Sequence, residues 1–196
     1  MTALPSIRRT FTPEEYLLVE RGAAYRSEYL DGEIYAMAGA SRAHNTIVNN
    51  LSGEFHRLLK GTPCQGMSQD MKVDTRDAGF YAYPNYVIVC GEQRYLDSHE
   101  DVLINPQVIV EVLSPSTEKY DRTTKFDRYS RLETLREYVL VAQERPRIEH
   151  YVRQNDGNWV NNVILGLDAS LALATVDAAV SLADIYDRIT FTDTAG

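Results

Sequence analysis

The sequence predicts an α/β domain whose core runs helix, three strands, helix, strand between residues 42 and 142. Three observations predict it. From Ser41 to about Lys60 the apolar residues Ile47, Val48, Leu51, Phe55, Leu58 and Leu59 recur at helical intervals. The run Val108-Ile109-Val110-Glu111-Val112-Leu113 is apolar, rich in β-branched residues and short enough for a strand with both faces buried. A helical stretch then leads to Glu137-Tyr138-Val139-Leu140-Val141, a second short apolar run. Strand, helix and strand of this size form a crossover that leaves both strands parallel.

The remaining elements come in chain order. Thr12-Pro13-Glu14-Glu15 sets a capping hydroxyl before a proline, with a glutamate three residues on, and so opens an N-terminal helix to about Arg21. Asp31-Gly32 between Ser27-Glu28-Tyr29-Leu30 and Glu33-Ile34-Tyr35-Ala36-Met37 is a hairpin signal. The long helix from Ser41 stops at Gly61-Thr62-Pro63. Strands are expected from Cys64 to Val73 and from Phe80 to Val89, with a polar turn at 74–79, and then a charged loop from Gly91 to Asn105. Past the core, Arg147 to Arg153 and Trp159 to Leu165 flank Asp156-Gly157 as a C-terminal antiparallel hairpin on the sheet edge, and residues 182–186 close with a helical turn. No repeat, low-complexity segment or linker divides residues 1–196, which are read as one domain.

Twenty Lys and Arg against 28 Asp and Glu give a formal charge of −8, which argues against a protein that coats nucleic acid non-specifically. Cys64 and Cys90 are too few for a disulfide framework and fit no zinc pattern. No run approaches membrane-spanning length and the first residues lack an apolar leader, so a cytoplasmic protein is expected.

The chemistry concentrates in residues 107–131. Glu111 is a carboxylate inside an apolar strand, where an unpaired charge is costly. Ser114-Pro115-Ser116-Thr117 ends that strand, and Lys119, Arg122, Lys125, Arg128 and Arg131 recur every third residue on the next helix. Such spacing makes a slowly winding basic stripe, while Phe126, Tyr129 and Leu132 hold the helix on the sheet. The plain alternatives are an acid paired with a core arginine or lysine and a stripe that is only a solvated face. A buried strand acid succeeded by a cationic helix is also the arrangement that a site for a divalent metal and a phosphate requires.

Several motifs carry a family resemblance: Tyr29-Leu30-Asp31-Gly32-Glu33-Ile34, His44-Asn45, Asp70-Met71-Lys72-Val73, Tyr83-Pro84-Asn85-Tyr86-Val87, the block from Val110 to Thr117, and Asp121 through Lys125 to Tyr129. Together they resemble the Uma2 family, also known as a domain of unknown function, DUF820, within the PD-(D/E)XK superfamily of restriction-endonuclease-like folds. The resemblance implies a restriction-endonuclease-like core and a Mg²⁺-dependent (or Mn²⁺-dependent) endonuclease acting on DNA. It puts the strand glutamate on Glu111, the Asp of the Pro-Asp pair on Asn85, and the lysine, absent at Leu113, on Lys125. Glu111 and Asn85 are then the metal ligands, and Lys125 stabilises charge on phosphorus.

Asn85 departs from the family pattern, since an amide oxygen brings no negative charge to a metal. Asp70 and Glu33 are the candidates to replace that charge, with exposed strand or turn positions as the plain reading of both. Asp121 supports Lys125 at i, i+4 spacing, and His44 in the first turn of its helix points either to the site or into the core. Lys119, Arg122 and Arg128 are the nucleic-acid-binding candidates. The rival reading is a non-catalytic nuclease-like fold that binds nucleic acid or a protein partner, and a homodimer supplying a second stripe is a third idea.

Overall fold

Helix α1 (Pro13–Gly22) starts from the capping box that its sequence spells out. The Thr12 hydroxyl accepts from the Glu15 N–H at 3.2 Å, and the Glu15 carboxylate accepts from the Thr12 N–H at 3.0 Å. Strands β1 (Ser27–Leu30) and β2 (Glu33–Ala36) pair antiparallel across Asp31-Gly32. Both turn residues have positive φ, 47° and 94°, as a two-residue hairpin turn demands. Ser41 caps α2 (Arg42–Leu59), accepting from the His44 N–H at 3.0 Å. The computed structural model describes residues 10–77 and 79–191.

The expected strands 64–73 and 80–89 are each divided. The first becomes β3 (Cys64–Ser68) and β4 (Lys72–Asp74), the second β5 (Phe80–Ala82) and β6 (Tyr86–Cys90). Pro84 has no N–H to give a ladder, and Gln69 takes φ 49°, so both strands bend at matching places. The outer part of this bent hairpin, β4 with β5, joins a five-stranded sheet of order β2-β1-β5-β4-β7, where β7 is Val102–Leu103. Its inner part, β3 with β6, joins a six-stranded sheet of order β11-β10-β9-β8-β6-β3. Here β8 is Val108–Val112, β9 Glu137–Val141, β10 Arg147–Arg153 and β11 Trp159–Leu165. Strands β8 and β9 are parallel, as the crossover requires, and β10 with β11 is the edge hairpin.

Both faces of the six-stranded sheet are covered, which is why β8 reads as a continuous apolar run. On one face lie α2 and a second hairpin, β12 (Ser170–Leu173) with β13 (Ala178–Ser181), which the sequence did not suggest; the closing turn Leu182–Ile185 packs beside them. On the other face Ile109, Leu113, Tyr138 and Leu140 meet Val73, Phe80 and Ala82 of the smaller sheet. Helix α3 completes that side and runs through 118–129 in three abutting pieces, Glu118–Tyr120 α-helical, Asp121–Lys125 π-helical and Phe126–Tyr129 α-helical. No helix among the described residues is long and apolar enough to cross a membrane. Cys64 and Cys90 stand opposite each other on β3 and β6 and form a disulfide, a pairing that their spacing did not disclose.

Candidate active site

Strand alternation decides where Glu111 points. Val108, Val110 and Val112 enter the cluster under α2, whereas Ile109 and Leu113 enter the one under α3, so Glu111 faces α3. From that helix Asp121, Lys125 and Tyr129, four residues apart, are the buried positions. A π-helical turn is wider than an α-helical one and rotates the α-helical piece after it relative to the piece before it. The evenly winding stripe is thereby broken: Lys125 turns inward while its neighbours stay outside.

The Lys125 ammonium lies 3.0 Å from Glu28 Oε1, 3.1 Å from Glu111 Oε1 and 3.4 Å from Asp121 Oδ1. All four side chains are buried. The Tyr129 hydroxyl stands 3.5 Å from Glu111 Oε1, and the Tyr120 ring centre lies 5.6 Å from the Lys125 nitrogen. At the bend between β5 and β6, the Asn85 N–H donates to Glu111 Oε2 at 3.3 Å and the Tyr83 N–H to Glu28 Oε1 at 3.4 Å. The bend that splits the strand thus aims two backbone donors at two carboxylates.

The Asn85 side chain bridges strand and helix. Its Oδ1 accepts from the Val112 N–H at 2.7 Å, which leaves its amide nitrogen to donate to His44 Nε2 at 3.2 Å. An accepting Nε2 puts the imidazole proton on Nδ1, and that atom is buried with no hydrogen-bond partner among the described residues. Burial lowers the His44 pKa, with nearby Asp121 opposing and Lys125 assisting, so the ring is neutral. Burial raises Glu111 above the ordinary carboxylate range; Lys125 opposes this, and Asp121 and Glu28 reinforce it. Burial also works against charge on Lys125, but the attraction of Glu111, Glu28 and Asp121 is larger and holds it well above the ordinary lysine value.

Of the residues singled out in the sequence, Glu111, Asn85, Lys125, Asp121 and His44 come together. Glu33 and Asp70 do not join them: Glu33 accepts from the Tyr35 hydroxyl, and Asp70 pairs with Arg26 at 3.1 Å. Neither lends its charge to Asn85. Arg122 pairs with Glu118 and, at 2.8 Å, with Glu149, while Arg128 pairs with Asp31 and, at 3.1 Å, with Asp77. Lys119 is exposed on the first turn of α3. The acid that sequence reasoning missed is Glu28. Its signal was the alternation in Ser27-Glu28-Tyr29-Leu30, where a strand that buries Tyr29 on one face also buries its glutamate on the other.

Among the described residues no group of three or more His, Cys, Asp or Glu side chains closes on a common metal position, because an ammonium stands between the carboxylates. The donors are three carboxylates and no thiolate, the oxygen chemistry of a hard cation, but the positive charge they hold is the Lys125 ammonium.

The Uma2 family model, described as "Putative restriction endonuclease", matches residues 13–183. The chain is 35% identical over 182 residues to uncharacterized protein slr1290 of Synechocystis sp., across 92% of this chain and 93% of that one. It is 32% identical over 163 residues to uncharacterized protein sll1609 of the same organism, across 83% of this chain and 92% of that one. Its fold resembles the crystal structure of a "putative nuclease belonging to DUF820" from Anabaena variabilis with a TM-score of 0.74 at 16% identity, over 90% of this chain and 97% of that one. With a buried strand glutamate, a helix lysine and the residue after Pro84 gathered at one seam, and with a family match over most of its length, the chain belongs to the Uma2 family and has its nuclease-like α/β fold.

Proposed function

We propose that this protein hydrolyses phosphodiester bonds in DNA with the help of a divalent cation, Mg²⁺ or Mn²⁺. The observation that carries this reading is the convergence of Glu111, Asn85 and Lys125 from three separate elements on one seam between the sheets. Glu111 is the metal ligand and Asn85 occupies the second ligand position with a neutral oxygen. When bound, the cation supplies charge that polarises a phosphate and acidifies a water. The chain's own part is orientation and charge. The Asn85 N–H fixes one Glu111 oxygen, and Lys125 fixes the other while holding a permanent positive charge where negative charge develops on phosphorus. Lys119 and the outer cations of α3 meet the DNA backbone.

Incubation with plasmid and Mg²⁺ or Mn²⁺ tests the proposal, with Glu111→Ala as the control. Nicking by the original protein alone supports it, and equal nicking by both removes it. Asn85 favours a second reading, a nuclease-like fold that binds nucleic acid or a protein partner without cutting. The Asn85→Asp variant separates the two. A gain of metal binding by calorimetry together with cleavage marks an enzyme short of one charge, and no change in either favours binding.

A further inference from the structure

Strand β11 is an outer strand of the six-stranded sheet, and its sequence, Trp159-Val160-Asn161-Asn162-Val163-Ile164-Leu165, contains no charged residue. It pairs with β10 residue for residue, without a bulge. At the two ends of that ladder the Gln154 N–H donates to the Asn158 carbonyl at 2.7 Å and the Gly166 N–H to the Pro146 carbonyl at 3.0 Å. Bonded and unbonded pairs alternate along an antiparallel ladder, so these two bonds set its phase. Val160, Asn162 and Ile164 bond β10. Trp159, Asn161, Val163 and Leu165 turn their N–H and C=O groups outward, where none meets a partner among the described residues.

A long outer strand is ordinarily guarded by lysine, proline or a bulge, and β11 has none of them. Its apolar side chains stand in solvent, Val163 46% and Leu165 61% exposed. The other outer strands are shorter: β3 has five residues, β2 four with Glu33 among them, and β7 two.

The edge that fits this one is its own copy. A two-fold axis through Asn162 aligns all seven residues antiparallel and sets every outward residue opposite another outward residue. Trp159 then opposes Leu165 of the second copy, Val160 opposes Ile164, Asn161 opposes Val163, and the two Asn162 amides meet at the axis. An axis through Asn161 leaves Leu165 without a strand partner, and one through Val163 leaves Trp159 without one. Charge points the same way. A chain of formal charge −8 repels its copy except where no acid is opposed. β11 carries no acid, and Glu149, opposite Val163 on β10, is already paired with Arg122 and Arg147. An uncharged edge also offers a charged peptide from another protein nothing to select.

We propose that β11 is a homodimer interface, on which a second copy of this chain adds its own β11 antiparallel and continues the sheet. Each copy has one such edge, so the contact closes as a dimer. Four outward pairs exchanging two backbone bonds each, with Leu165 covered by the indole, hold it together. One strand pair lies at the small end of specific interfaces, and association is therefore expected in the micromolar range. The inference stands apart from the nuclease reading.

Sedimentation velocity on the full chain from about 1 to 200 µM is the test. The mass is expected to rise from one chain to two and to stop there. Val163→Lys and Asn161→Asp each put a charge diagonally across the axis from its own copy. Each is expected to weaken association at least about tenfold while melting like the original, because both side chains stand in solvent. An equimolar mixture of the two variants should dimerise again, since position 163 of one copy opposes position 161 of the other and a lysine then faces an aspartate. A single-chain mass for the original over the whole range, growth beyond two chains, or unchanged association in both variants overturns the proposal. So does a mixture no more associated than its components.

Discussion

Replacing Lys125 by methionine keeps the length and bulk of the side chain and removes only its charge and donors. The ammonium sits 3.0, 3.1 and 3.4 Å from three carboxylate oxygens. At an effective dielectric constant of about 20, each such contact is worth roughly 5 kcal/mol of Coulomb attraction. Repulsion among the acids and the cost of burying the ammonium cancel most of that sum. Removing one partner of a buried ion pair typically costs about 3–5 kcal/mol, because charge is left buried and unpaired. Lys125→Met is therefore expected to lose about 3–5 kcal/mol at pH 7 in urea unfolding, and at about 2–4 °C per kcal/mol its melting point should fall by about 6–20 °C.

The pH dependence has a definite sign. Burial already lifts Glu111 above the ordinary carboxylate range, and Lys125 is the main influence pulling it back. Without Lys125 the carboxyl rises further. A carboxyl whose folded value exceeds its unfolded one stabilises the fold at pH below the unfolded value, and this contribution is lost as pH rises through the folded value. The deficit of Lys125→Met should accordingly shrink toward acid pH and grow toward alkaline pH. A loss under about 1 kcal/mol at pH 7 would refute the view that this amine is the keystone of the cluster. So would a deficit that is flat with pH.

Three further outcomes rest on the same geometry. The buried His44 is held neutral with its pKa lowered, so the fold loses stability as pH falls below the ordinary histidine value of about 6.5; His44→Leu should flatten the pH 5–6.5 segment of the stability curve, and an unaltered slope there would show that the ring is charged when folded. Glu137 accepts from the Thr175 N–H at 2.7 Å and pairs with His150 at 2.5 Å. Glu137→Ala strands both and should cost about 2–4 kcal/mol in urea unfolding at pH 7, with a cost near zero counting against the pairing. The Cys64–Cys90 bridge spans a sequence separation of 26, so Cys64→Ala with Cys90→Ala should melt lower by the equivalent of about 2–4 kcal/mol, and identical melting of reduced and oxidised original protein would argue that β3 and β6 need no staple.

Much of this architecture was legible because local chemistry and fold agree. The capping box at Thr12, the Asp31-Gly32 turn, the helical period from Ile47 to Leu59 and the β-branched run at 108–113 each specify their element from within a few residues. Glu111 announced itself as an acid among apolar neighbours, and α3 does lay Lys125 upon it. The features that stayed hidden depend on distant partners. Pro84 could be read as a break, yet nothing nearby says that the halves of the strand belong to different sheets. The Val102–Leu103 strand is two residues long and exists through its parallel pairing with β4. Helical spacing alone spread the cations of α3 evenly, and only the π-helical turn sorts Lys125 to the inside and Arg122 and Arg128 to outer carboxylates. Glu28 was hidden for the same reason: its reading as a site residue needs a helix that begins ninety positions later.

That long reach of Glu28 has a consequence for anyone who shortens the chain. The first hairpin resembles a decorative flap, hydrogen-bonded along one margin and remote in sequence from the strand acid. Cutting it away would remove an anion from beneath Lys125 and the strand that β5 leans upon, so the remainder would be a different electrostatic object as well as a smaller one. A trimmed version that neither melts nor binds like its parent would then report on the missing flap, and says nothing about the competence of the central sheet.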